Sequence, residues 1–153
     1  MIGIPVTGLL WSLAVVWLNT EQLATAGVLP TQAFMVVALG GLTQTIALWA
    51  GFSAVLWAMV RAFGAHLPFT ELFTLICSAS LPLWVGAPAL AYCLYSGKSL
   101  VSVAGLISML SLCAFLYTAA RLLAPRLSWS ILRSVGAVSS AAIFLFSFTF
   151  LNN

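Results

Sequence analysis

The segment FGAHLPFTELFTLICSASLPLW, residues 63–84, decides how this chain is read. It holds Glu71, one of only two acidic residues in a 153-residue sequence, and leads from it into an apolar run broken by Pro82. A carboxylate at the start of an apolar helix meets the positive end of the helix dipole and sits best where water still reaches it. A proline inside the run removes one backbone hydrogen bond, which hydrocarbon cannot replace.

The surrounding composition identifies that hydrocarbon. With 63% hydrophobic and only 5% charged residues, the chain cannot coat a soluble domain with polar side chains. About 20 helical residues cross a hydrocarbon core of roughly 30 Å. The sequence therefore predicts an all-α integral membrane protein, a single helical domain over residues 1–153. Five transmembrane helices are expected at about 4–18, 34–60, 72–95, 100–120 and 131–151. Pro5 is tolerated in an opening turn, and Asn19 to Gln22 close the first span. Ala24, Thr25 and Ala26 resemble a signal-peptide cleavage site, but no basic leader precedes them, so the first span is expected to stay. Arg61 stops the second span, Arg121, Pro125 and Arg126 the fourth, and Asn152 and Asn153 the fifth.

The net charge of +3 comes from five scattered basic residues at the ends of apolar runs, a pattern that reports orientation and excludes nucleic acid as a partner. Five spans place Arg61, Arg121, Arg126 and Arg133 on the side of the N-terminus and Lys98 opposite. Basic segments resist translocation, so the N-terminus is expected in the cytoplasm and the C-terminus outside it.

Two expectations follow for residues 63–84. Spans two and three form an antiparallel hairpin, bringing Arg61 and Glu71 together near the cytoplasmic interface, with Thr70 a further cap and His66 in the loop between them. Glu71 is then either a structural tether or, with His66, part of a binding site. Pro82 falls near the bilayer midplane and frees the carbonyl of Ser78, while Pro88 frees that of Trp84. Gln44 is the first donor expected to reach Ser78. It lies at a depth shared by Ser108, Ser111, Ser139 and Ser140, a polar layer that either packs helices or lines a hinge or small cavity. Gly40, Gly41, Gly51, Gly105 and Gly136 permit close helix approach.

Catalysis and cofactors are not expected. The chain has one histidine, no aspartate and two glutamates on opposite sides of the predicted membrane, which is too few acids and bases for a hydrolytic site. Cys77, Cys93 and Cys113 show no CxxC pairing and sit far in sequence from His66, so no metal is expected.

Gly64, then Phe69 to Phe73 (FTELF), then Ala79 to Pro82 (ASLP) resemble the signature of the Yip family, Rab-interacting five-span membrane proteins and their bacterial relatives. Tyr117 to Arg121 (YTAAR) is similar to the small-residue-plus-arginine ending of that family's fourth span, extending the likeness over roughly residues 34–150. The chain departs from the pattern at Pro68, at Cys77 and Ser78, and in having a single loop glycine. In eukaryotic members the resemblance implies trafficking through a cytoplasmic N-terminal region and Rab-type GTPase partners. This chain enters its first span almost at Met1, which argues against a Rab partner and for a bacterial inner membrane.

Two functions are then expected to compete. One is a non-enzymatic scaffold or accessory subunit, with the lipid bilayer and a membrane-protein partner or homo-oligomer as its contacts. The other is a small transporter, channel or lipid-moving protein that uses the proline-kinked third span. No Asp, Glu, Lys or Arg falls deep in a predicted span, which disfavours ion-coupled transport.

Overall fold

A computed structural model describes residues 3–27, 29–97, 99 and 101–151, with no side-chain detail for residues 30, 146 and 148–151. The described chain is entirely helical apart from its connections: α1 (Gly3–Leu18), α2 (Thr20–Thr25), α3 (Pro30–Ala62), α4 (Phe69–Ala79), α5 (Leu83–Tyr95), α6 (Val103–Leu127) and α7 (Ile131–Leu151). Two helices, α3 and α6, are each long and apolar enough to cross a membrane, and the bent pair α4–α5 makes a third if counted as one span. At 1.5 Å per residue α1 reaches only about 24 Å, short of a hydrocarbon core of roughly 30 Å. Lys98, Asn152 and Asn153, which marked the opposite side in the sequence, lie outside the described residues.

Helix ends follow local chemistry. Pro30 opens α3, where its missing N–H costs nothing. Gly64 closes the same helix at φ +78°, with its N–H on the carbonyl of Arg61 and that of Ala65 on the carbonyl of Val60. That paired bonding requires a left-handed residue, which glycine supplies without steric cost. Ser102 caps α6 by accepting from the N–H of Gly105. α4 begins one residue before Thr70, with Pro68 preceding it and no side-chain cap, so Thr70 is not the expected cap. α6 also overruns its expected end. It continues through Arg121 and Pro125 and stops where Ser128 turns left-handed, its N–H on the carbonyl of Ala124. One proline so near a helix end forfeits a single bond, and the final turn keeps its packing.

The five longer units form a closed circuit of contacts: α3 packs on α1, α1 on α5, α5 on α6, α6 on α7, and α7 back on α3. α4 lies against α3 and α6 at one end of this circuit. The core there is built from Phe52, Leu56 and Val60 of α3, Leu72 and Ile76 of α4, Phe115 and Leu123 of α6, and Val138 of α7. Trp49 packs edge-on against Phe52 and Phe115, with ring centroids 5.7 and 4.9 Å away. The outward faces stay apolar, with Met35, Val36, Leu106, Leu110, Ile143 and Phe144 all exposed.

The third unit is bent by 68° between α4 and α5, across Ser80 to Pro82. The expected kink is present at Pro82, but its polar groups are satisfied differently from the expectation. The Gln44 side chain is exposed and makes no hydrogen bond among the described residues, so it does not serve Ser78. Ser78 lies on α4, which does pack on α3, but the side chains of Gln44 and Ser78 are both exposed and share no hydrogen bond. At the break the buried Ser80 hydroxyl donates to the carbonyl of Cys77 (2.7 Å), and the Trp84 indole N–H reaches across to the carbonyl of Gly3 on α1 (3.1 Å). The Ser78 hydroxyl is exposed and donates to its own helix, at Thr74 (3.0 Å). α5 runs on through Pro88, which lines a shallow groove of about 210 Å³ against Leu13 and Trp17 of α1.

The expected midplane polar layer also divides. Ser108 is buried and donates to Gly105 (2.8 Å), Ser111 packs against Gly86, and Ser140 is exposed. The polar bond that joins α1 to α3 comes instead from Ser12, whose buried hydroxyl sits 2.9 Å from the carbonyl of Gly8 and 3.2 Å from that of Val37.

Candidate functional site

Arg61, Glu71, Arg126 and Arg133 come together at the end of the bundle where α3 and α6 finish and α4 and α7 begin. The loop between α3 and α4 is pinned there by Trp57, whose indole N–H donates to the carbonyl of Leu67 (3.0 Å). Phe69 packs edge-on to the same tryptophan and stacks with Phe73. A rigid indole at the mouth of the hairpin therefore fixes where the loop's polar residues emerge.

Glu71 lies in the first turn of α4, as expected, but its partner is Arg126 of α6 at 2.8 Å, not Arg61. Arg61 instead lays its guanidinium over the Trp57 ring, 4.5 Å from the centroid. Trp57 is four residues before Arg61, so the two share one helix face and stack without reorganisation. Arg126 can approach Glu71 because α6 extends beyond its expected end and packs on α4. Both partners are substantially exposed, so the pair orients the helix ends more than it stabilises them.

Arg133, in the first turn of α7, is held by aromatic rings. Its guanidinium lies 4.5 Å from the Trp129 centroid and 5.4 Å from that of Phe63, and it donates to the carbonyl of Phe63 at 3.4 Å. Phe63 and Trp129 themselves meet edge to face at 5.9 Å. His66 is exposed in the loop, and Arg121 is exposed about a turn and a half before Arg126; neither side chain forms a hydrogen bond or ion pair among the described residues. His66 and Glu71 are not joined by a hydrogen bond, so the expected two-residue site is not assembled as a bonded unit.

Beside Arg133 a groove of about 320 Å³ runs between α3 and α7, walled by Met59, Ala62, Phe63, Gly136, Ala137 and Ser140. Sequence reading missed both the groove and the aromatic seats of the arginines. The spacing of Trp57 and Arg61 on one helix face could have indicated the first seat, whereas Phe63 and Trp129 meet only through the fold. No group of three or more His, Cys, Asp or Glu side chains among the described residues could hold a metal ion. Two buried hydroxyls, Ser53 and Ser134, have no hydrogen-bond partner among the described residues.

No protein-family model, curated protein or solved structure matches this chain.

Proposed function

We propose that this chain is a non-enzymatic five-span membrane protein of a bacterial inner membrane, a distant Yip-family member that acts as a scaffold or accessory subunit. Its arginine-rich end and N-terminus face the cytoplasm and its C-terminus the opposite side. The observation that carries this reading is the gathering of Arg61, His66, Glu71, Arg126 and Arg133 at one end of a bundle whose flanks are apolar. Such an end offers exposed, rigidly seated donors to a membrane-protein partner or a second copy. Its charge also satisfies the positive-inside rule.

Labelling of single cysteines placed at Ser128 and Asn153 tests the topology: the two should react from opposite sides, and reaction of both from one side excludes an odd number of spans. Purification after crosslinking in native membranes tests the role. A stoichiometric partner or second copy should be retained and should be released by Arg61→Glu or His66→Glu in a chain that still inserts. The 68° break in the third unit favours a second reading, passage of a small solute or lipid past a hinge. Flux in liposomes that is abolished by altering Pro82, with no partner captured, would replace the first reading by the second.

A further inference from the structure

We propose that the groove between α3 and α7 is a binding site for an anionic phospholipid, with the phosphate against Arg133 and one acyl chain lying along Gly136 toward Ser140. The site rests on the membrane reading above and adds a ligand to it.

The groove has the two chemistries that such a lipid needs, in the right order along the helix. At the α7 N-terminus stands a guanidinium whose protein partners are two aromatic faces and one backbone carbonyl, contacts that leave other N–H groups of the fork for an anion. The one acidic side chain at this end, Glu71, is bonded to Arg126, and the dipole of α7, whose first turn Ser130 caps by accepting from the Arg133 N–H, adds positive potential at the same level. From Arg133 the wall continues through Gly136 and Ala137 to Ser140, about 10 Å along the helix, opposite Met59 and Ala62. This surface is apolar and stays open because position 136 has no side chain, and a Cβ built there would meet nothing within 4 Å. Basic pockets between membrane helices on the cytoplasmic side favour headgroups with net negative charge, since each arginine near the surface is worth about 1 kcal/mol. A zwitterionic lipid gains the chain contact but loses most of that charge term.

The test uses the full chain, purified, stripped of lipid and returned to detergent containing phosphatidylglycerol or phosphatidylcholine with identical acyl chains. Retained lipid is counted by native mass spectrometry. About a fivefold preference for phosphatidylglycerol is expected. Arg133→Gln should abolish the preference, Arg133→Lys should keep part of it, and Arg121→Gln, the same charge change on exposed α6, should leave it intact. Gly136→Leu should fill the groove and reduce retention of both lipids, and glycerophosphoglycerol or inorganic phosphate alone should bind too weakly to be retained. Equal retention of the two lipids, a preference that survives Arg133→Gln, or normal retention in Gly136→Leu would overturn the site. So would loss of a dimer in Gly136→Leu without change in lipid, which would assign the groove to a second copy. Alkaline carbonate extraction separates the premises: a chain released from membranes defeats the membrane reading and the site together, while one that stays but shows no lipid preference defeats the site alone.

Discussion

Gly86 and Gly136 are both helical glycines beside a neighbouring helix, yet they do opposite things. Gly86 on α5 faces α6 so closely that an added Cβ would stand 2.5 Å from the Cβ of Ser111. Gly136 on α7 faces open space. The same division separates whole seams. On the α1–α3 seam, Gly8 receives Thr45 and Gly41 receives Ser12, so two small-residue pairs spaced four apart interlock in antiparallel register. The α3–α7 seam closes through large groups, Leu145 beside Gly51 at one level and Arg133 against Phe63 at another, and leaves a groove between them. A small residue creates contact only when its neighbour is placed to fill the space; otherwise it creates a cavity.

Substitutions at the two kinds of glycine provide the most direct test of this contrast. Gly86→Leu should cost about 1–3 kcal/mol through overpacking against Ser111, seen as lost monodisperse yield and a lower unfolding temperature in detergent. An unchanged variant would mean that α5 and α6 are farther apart than described. Gly136→Ala should act with the opposite sign, raising stability by about 0.5–1 kcal/mol, because alanine stiffens an exposed helix and meets no neighbour. Destabilisation there would close the proposed groove.

Pro82→Ala should lower stability by about 0.4–1 kcal/mol, since the proline fits its φ of −59° and restricts the unfolded chain. The bend should survive the change, because the Ser80–Cys77 bond fixes the end of α4 and the Trp84–Gly3 bond holds α5 against α1. Spin-label distances between α4 and α5 would reveal straightening if proline alone makes the bend. The smallest effect belongs to the Glu71–Arg126 pair. A double-mutant cycle with neutral replacements should give coupling of about 0.2–1 kcal/mol at most, given the exposure of both groups. The matching cycle for Arg61 and Glu71 should give none, and coupling in that second cycle would restore the hairpin tether suggested by the sequence.

Much of this arrangement was legible in the residues themselves. The apolar runs located the five longer units, though α6 runs seven residues past its expected end, because a helix core of this composition leaves few alternatives to hydrophobic burial or lipid. Pro82 announced the break in the third unit, and Glu71 announced the start of that unit. The partners were not legible. Arg61 precedes Glu71 by ten residues, which made it the natural counter-ion, whereas Arg126 lies 55 residues away. Gln44 and Ser78 lie on helices that do pack together, α3 and α4, yet both side chains turn outward, an orientation set by which helix faces meet.

By itself, then, the sequence determined that the chain is helical and apolar, where its helices start and break, and that Arg61, Arg126 and Arg133 lie at helix ends. Those properties depend on local composition, backbone chemistry and the period of a single helix. Only the tertiary structure decided that α1 separates α3 from α5, that Arg126 takes Glu71, and that Arg133 rests between Phe63 and Trp129 above an open groove. Those outcomes depend on which helix faces meet, and membrane helices are similarly oily on every side, so hydrophobicity does not choose the faces. The choice falls to the fit of small residues such as Gly8, Gly41 and Gly86 against particular neighbours, a matter of spacing in three dimensions that no single helix encodes.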